Sequence, residues 1–242
     1  MVAVSRFKMD VFMRAFSECL MIGRSGTKNK KVVFGGFWRL DYFGGVRSMK
    51  QKPFILASAS PRRVELLRQI VADFEVVPGN VPEIHDEQLT AWEMAQVNAY
   101  RKARAVAKKF PDTTVLGADT LVYLDREGRL YGKPADPADA ARMLSELQGK
   151  THAVITGVCL LHLRGHRQRV FAEWTDVRFH PLTAAQIKEY LELMNPLDKA
   201  GAYAIQEYGE RVVAEISGSY SNVVGLPVER VREELATWQQ SA

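Results

Sequence analysis

The chain has 242 residues, 47% of them hydrophobic and 25% charged, enough for one or two domains with a sizeable core. No apolar run reaches the length of a membrane span, and two cysteines, Cys19 and Cys159, make no disulfide framework, so the pattern is that of a cytoplasmic protein rather than a membrane or secreted one. The net charge of +5 is misleading as an average: residues 1–48 carry nine Lys/Arg against three Asp/Glu, and the remainder carries 24 against 25, which argues against nucleic-acid binding by the main domain.

Residues 1–48 show no sustained helical or strand period and no signal-peptide core followed by a small-residue cleavage site. They are expected to be a functionless extension, disordered or upstream of a start at Met49, with the domain covering 49–242. From Phe54 the signals become regular. "FILAS" reads as a buried strand, and "PRRVELLRQIV" as a helix with Val64, Leu67 and Ile70 or Val71 on one face. "FEVVP" is a second short strand. "LTAWEMAQVNAYRKARAVAKKF" is a long helix opened by the capping box Thr90-x-x-Glu93. "TVLGADTLVYLD" predicts a buried strand interrupted at Gly117–Thr120, and "DREG" a tight turn back into "RLYGKP". The next helix, "DPADAARMLSELQG", takes Asp136 as its N-cap and Gly149 near its C-cap. "THAVITGVCLLHL" and "RVFAEWTDVRFHPL" predict long strands joined as a hairpin through "RGHRQ", and Thr183-x-x-Gln186 opens a further helix. A glycine-rich stretch then leads to a last helix near 227–238. Early alternation of strands and helices followed by a hairpin predicts an α/β protein with a mixed sheet.

Standard catalytic signatures are mostly absent. "GRLYGKP" has three residues between its glycines and a proline after its lysine, so it is no phosphate loop, and no G-x-S-x-G elbow occurs. His162 and His166 have zinc-site spacing, but Gly165 and the hairpin context oppose a helical metal face. Where the first strand becomes a helix, Ser58, Ser60, Pro61, Arg62 and Arg63 crowd into six positions. Two readings stand there: an N-cap serine beside solvated arginines, or an anion site made by free helix amides and planar guanidinium forks. Asp119 in "GADT" lies in the most apolar strand, as an Asx-turn or as a carboxylate that meets a metal, a cation or a reacting proton. Together, Arg62, Arg63, Lys102 and Lys133 would neutralise a polyphosphate, and Asp119 with Glu83 would hold Mg²⁺ or activate water.

Six ordered segments, "LASASPRRVELL", "GADTLVYLD", "GKPADPADAARMLSELQGKTHAVITGV", "WTDVRF", "DKAGAYAIQ" and "GSYSNVVGLP", resemble the Maf family of nucleoside triphosphate pyrophosphatases over about residues 54–236. The resemblance implies an inosine-triphosphatase-like α/β fold, with an elongated mixed sheet and two lobes around a substrate groove. It implies hydrolysis of a nucleoside triphosphate to the monophosphate and pyrophosphate with a divalent metal (Mg²⁺, Mn²⁺ or Co²⁺). It assigns Asp119 as proton acceptor, Arg62, Thr120 and Gln206 to substrate choice, and Ser58, Arg63, Glu83, Lys102 and Lys133 to the polar groove. "DKAGAY…IQ" is similar to the branch acting on dTTP and UTP, with Ala204 and Arg101 as departures where glycine and glutamate are usual. A homodimer is compatible with this reading. The alternative is a nucleotide-binding regulator of cell division or septum formation with little turnover.

Overall fold

The computed structural model describes residues 54–124 and 128–240. The expectations placed on residues 1–48, the start at Met49, Cys19 and most of the "DREG" turn lie outside the described residues. Within them, seven strands form one mixed sheet: β1 (Phe54–Leu56), β2 (Glu75–Val76), β3 (Thr114–Leu124), β4 (Arg129–Tyr131), β5 (Thr151–His162), β6 (Arg167–Phe179) and β7 (Val213–Ser217). Their order is β2-β1-β3-β5-β6-β7, with β4 also on β3. Strand β1 runs parallel to both its neighbours, and the remaining pairs are antiparallel. The expected hairpin is β5–β6, closing at the pair His162–Arg167. The helices are α1 (Pro61–Arg68), α2 (Ala91–Ala107), α3 (Pro137–Leu147), α4 (Ala184–Leu193), α5 (Tyr220–Val224) and α6 (Val228–Gln240). Both expected capping boxes form, at Thr90–Glu93 and Thr183–Gln186.

Three expectations are corrected. Helix α1 ends at Arg68, not at Val71. Strand β7 and helix α5 form within the glycine-rich stretch, where no element was expected. Most consequentially, β3 runs unbroken through Gly117–Thr120, pairing with β5 at every step from Val115 to Tyr123. Gly117 marks a close approach and not a break. A Cβ there would stand 2.4 Å from the Ala99 carbonyl oxygen, and one on Gly157 in β5 would stand 2.2 Å from that of Ala95. Helix α2 meets these glycines with Ala95, Ala99 and Ala103, all fully buried at four-residue spacing. The helix thereby seats against β3 and β5 at backbone distance.

Residues of alternate parity on β3 and β5 point to the other face. Two apolar clusters form there. One packs β1, α1 and α6 on Leu116, Ala118, Val158 and Leu160. The other packs α3 and α4 around Val122, Leu124 and Val154. Between the clusters, Thr120 and Thr156 sit opposite one another as register partners. These two cores correspond to the expected lobes.

The gap lies in the neighbouring strands. On one side of β3, β1 pairs with residues 114–116 and β4 pairs with residues 122–124. Residues 117–121 therefore have no partner strand on that side among the described residues. Asp119 and Thr120 occupy the middle of this bare edge.

Candidate active site

A cleft opens at the bare edge, lined by both polar and apolar side chains. Successive strand residues normally serve different compartments because they point to opposite faces. With no strand alongside, Asp119 from one face and Thr120 from the other both reach the cleft. Of the residues expected from sequence, Arg62, Arg63, Glu83, Lys102, Lys133 and Gln206 line it as well. Ser58 does not. It lies buried beneath the turn, accepting hydrogen bonds from the Ser60 N–H (3.2 Å) and from Arg63 (3.4 Å).

One end of the cleft is charged. The Lys102 ammonium, carried by α2, donates to Asp119 Oδ1 at 2.5 Å and to Glu83 Oε1 at 2.8 Å. Asp119 is 2% exposed, and its other oxygen, Oδ2, is buried with no hydrogen-bond partner. Burial raises the Asp119 pKa above the ordinary carboxylate value; Lys102 opposes the shift and Glu83 adds to it. Burial pushes Glu83 the same way, but the hydrogen bond and charge of Lys102 outweigh it and leave Glu83 below its ordinary value. Two adjacent carboxylates are thus driven apart, a pattern typical of acid–base sites. Helix α2 also delivers Glu83. Asn98, 1% exposed, donates to the Ile84 carbonyl and accepts the Ile84 N–H, and Arg101 donates to the Pro82 carbonyl. Residues 82 and 84 are clamped on either side of the carboxylate. Neither Asn98 nor Arg101 was expected to matter, although the Asn98-x-x-Arg101-Lys102 spacing does place them within one turn of the helix.

The two arginines of the strand–helix turn divide the labour. Arg63 is a strut: Nε donates to the Gly225 carbonyl (2.8 Å), one terminal nitrogen to the Ala118 carbonyl (3.0 Å), the other to Thr120 Oγ1 (2.8 Å). The Ala118 carbonyl belongs to the bare edge, so Arg63 supplies a donor in place of a neighbouring strand. Burial lowers its pKa, with Asp119 and Glu83 acting in the opposite direction. Arg62 reaches across to Asp198, donating to its carboxylate at 3.1 Å and to its carbonyl at 3.3 Å. Asp198 is compensated independently by Lys199, whose ammonium stands 2.8 Å away. Arg62 can therefore leave for an incoming anion without stranding a bare carboxylate. The Ser60 side chain makes no cap bond, so α1 presents free backbone N–H groups beside Arg62, which favours the anion-site reading of this turn. Lys133, exposed just after β4, adds a further positive charge at the rim.

The cleft also has an apolar lining, Val122, Val154, Tyr203, Ile205 and Val223. Thr120 and Gln206 are polar side chains that line it too. The segment carrying Gln206 is anchored at Ala204, whose N–H donates to Tyr190 Oη at 3.0 Å and whose carbonyl accepts from the same hydroxyl.

A divalent metal fits the charged end. Asp119 Oδ2 is an unsatisfied buried oxygen, and Glu83 supplies a second hard oxygen donor close by. Among the described residues no group of three or more acidic, His or Cys side chains forms a closed cage. The donor set therefore suits a cation such as Mg²⁺, which takes one or two carboxylates and completes its shell with water and phosphate oxygens.

Residues 53–238 match the family model described as Maf-like protein. A dTTP/UTP pyrophosphatase from Carboxydothermus hydrogenoformans is 46% identical over 185 residues, 76% of this chain and 97% of that one. Proteins of the same name from Symbiobacterium thermophilum and Gloeobacter violaceus are 49% and 48% identical, covering 75% and 77% of this chain and 91% and 96% of their own. Among solved structures, the Ham1 protein of Staphylococcus aureus aligns over 76% of this chain and 98% of its own, with 16% identity and a TM-score of 0.46. With the matched region spanning every element that builds the cleft, the chain belongs to the Maf family.

Proposed function

We propose that this chain hydrolyses nucleoside triphosphates between the α- and β-phosphates, preferring dTTP and UTP and releasing the monophosphate and pyrophosphate. The mixed lining of the cleft supports this reading, with charged side chains for the triphosphate and apolar ones for a base, as does the name carried by its relatives. The observation that carries the chemistry is Asp119 Oδ2, buried, unpartnered and at the cleft. It accepts the proton from a water attacking the α-phosphorus while the bond to the β-phosphate oxygen breaks and pyrophosphate leaves. Lys102 holds Asp119 by its other oxygen and so fixes the direction of Oδ2. Arg62, Lys133 and the open amides of α1 meet the phosphate charge. Glu83 and Asp119 would hold the divalent metal, which when bound supplies further neutralisation of the phosphates. Among the described residues no helix is long and apolar enough to cross a membrane, and the buried free thiol of Cys159 is consistent with a cytoplasmic setting.

The test is a panel of dTTP, UTP, CTP, dATP, dGTP and 7-methyl-GTP with Mg²⁺ or Mn²⁺, with pyrophosphate as the detected product. Turnover of dTTP and UTP well ahead of the purines supports the proposal. Release of inorganic phosphate in place of pyrophosphate, or binding without turnover, overturns it.

A further inference from the structure

Gln206 does not by itself tell uracil from cytosine. Among the described residues no hydrogen bond orients its amide, and a free amide can turn to offer either its N–H or its oxygen. Uracil and thymine present an N–H at ring position 3, where cytosine presents a bare nitrogen. Discrimination there needs a group of fixed polarity.

Thr120 is that group. Its Oγ1 accepts from Arg63 at 2.8 Å and lies 3.0 Å from Thr156 Oγ1, which in turn lies 3.1 Å from the Asn222 carbonyl. Thr156 is fully buried, and a carbonyl can only accept. When the single Thr156 proton goes to Asn222, the Thr120 proton goes to Thr156, and every contact in the chain becomes a hydrogen bond. The reverse arrangement leaves the Thr156–Asn222 contact unmade inside a low-dielectric core. The relay therefore runs one way, from Arg63 to Thr120 to Thr156 to Asn222. Thr120 is left with one lone pair facing the cleft and no proton to give.

We propose that Thr156 is a positioning residue for base selection: by taking the Thr120 proton, it makes Thr120 an obligate acceptor that reads the N3–H of uracil or thymine and rejects cytosine. This rests on the dTTP/UTP pyrophosphatase reading above and names how its specificity is set.

The experiment compares kcat/KM for UTP and CTP in the full chain, its Thr156→Val variant and its Thr156→Ser variant. Valine keeps the shape but cannot accept, so the Thr120 hydroxyl is released to donate. We expect the UTP:CTP ratio to fall about tenfold or more in Thr156→Val, the scale of one lost hydrogen bond, and to be retained in Thr156→Ser. A purely structural role would lower both rates together. A substrate-side arm needs no variant: 3-deaza-UTP, with carbon in place of N3, should be used by the wild type at least about tenfold less well than UTP. A folded Thr156→Val protein with an unchanged ratio overturns the proposal, as does equal use of 3-deaza-UTP and UTP. If the wild type hydrolyses neither UTP nor dTTP, the parent reading fails and this one with it. If it hydrolyses UTP but the ratio does not move, the relay alone is wrong.

Discussion

Asp119→Asn separates the charge of the site from its shape. The side chain is 2% exposed and held at 2.5 Å by Lys102, so an amide of the same outline keeps its place through Oδ1. What changes is Oδ2, which becomes a donor and can neither take a proton from water nor bind a cation. Loss of a general base costs about 10²–10⁴ in rate, roughly 2.7–5.4 kcal/mol of transition-state stabilisation. The fall should appear in kcat, with KM changing little, because Arg62 and Lys133 still face the phosphates. Stability should move the other way. The folded pKa of Asp119 is raised, mainly by burial, so the folded state binds its proton more tightly than the unfolded state does. Its contribution is fully present below the unfolded pKa and is lost as pH rises through the folded pKa. The variant escapes that loss. Its melting temperature should match the wild type at acid pH and equal or exceed it near neutrality. Steady-state pyrophosphate release and thermal melts of both proteins across pH check the two halves. Turnover within about threefold of wild type would remove Asp119 from the mechanism, and a stability advantage that grew toward acid would refute the burial argument.

Gly117→Ala should destabilise the domain by at least about 2 kcal/mol, because the added methyl meets helix backbone that has no flexible side chain to yield; urea midpoints read this directly. Arg62→Ala and Arg63→Ala should split, the first raising KM with an unchanged melt, the second lowering the melting temperature because four carbonyl and hydroxyl acceptors lose a donor. Asp198→Asn, which frees Arg62 from a competing carboxylate, should lower KM for UTP with kcat near wild type. A chain begun at Met49 should keep both the melting temperature and the turnover of the full chain, and an earlier melt would assign residues 1–48 a packing role.

The features readable from sequence were those set by a few neighbouring residues. Capping boxes at Thr90 and Thr183 and the β5–β6 hairpin need only local spacing, and they form as expected. Gly117 shows where local reading stops. A glycine in a strand signals either a break or a close approach, and only the packing of Ala99 and Ala103 onto it decides between them. Arg101 sits in "YRKARAVAKK", whose charge reads as a wet helix face, and Asn98 lies two residues before that segment. Their partners, the backbone of Pro82 and Ile84, lie 14 to 19 residues away in an irregular loop with no periodic signal. Arg62 and Arg63 are adjacent and chemically identical, yet Arg63 is an internal strut and Arg62 pairs with Asp198 at the cleft. Their separation follows from the direction in which α1 leaves β1, which no composition records. The deepest of these hidden features is the bare edge of β3. It exists because β1 stops at Leu56 and β4 ends at Tyr131, opposite Val122, so among the described residues five positions of a buried strand are left without a neighbour on that side. Had either strand continued, Asp119 and Thr120 would stand on opposite faces of a closed sheet, and the proposed proton acceptor and the proposed base reader could not share one substrate.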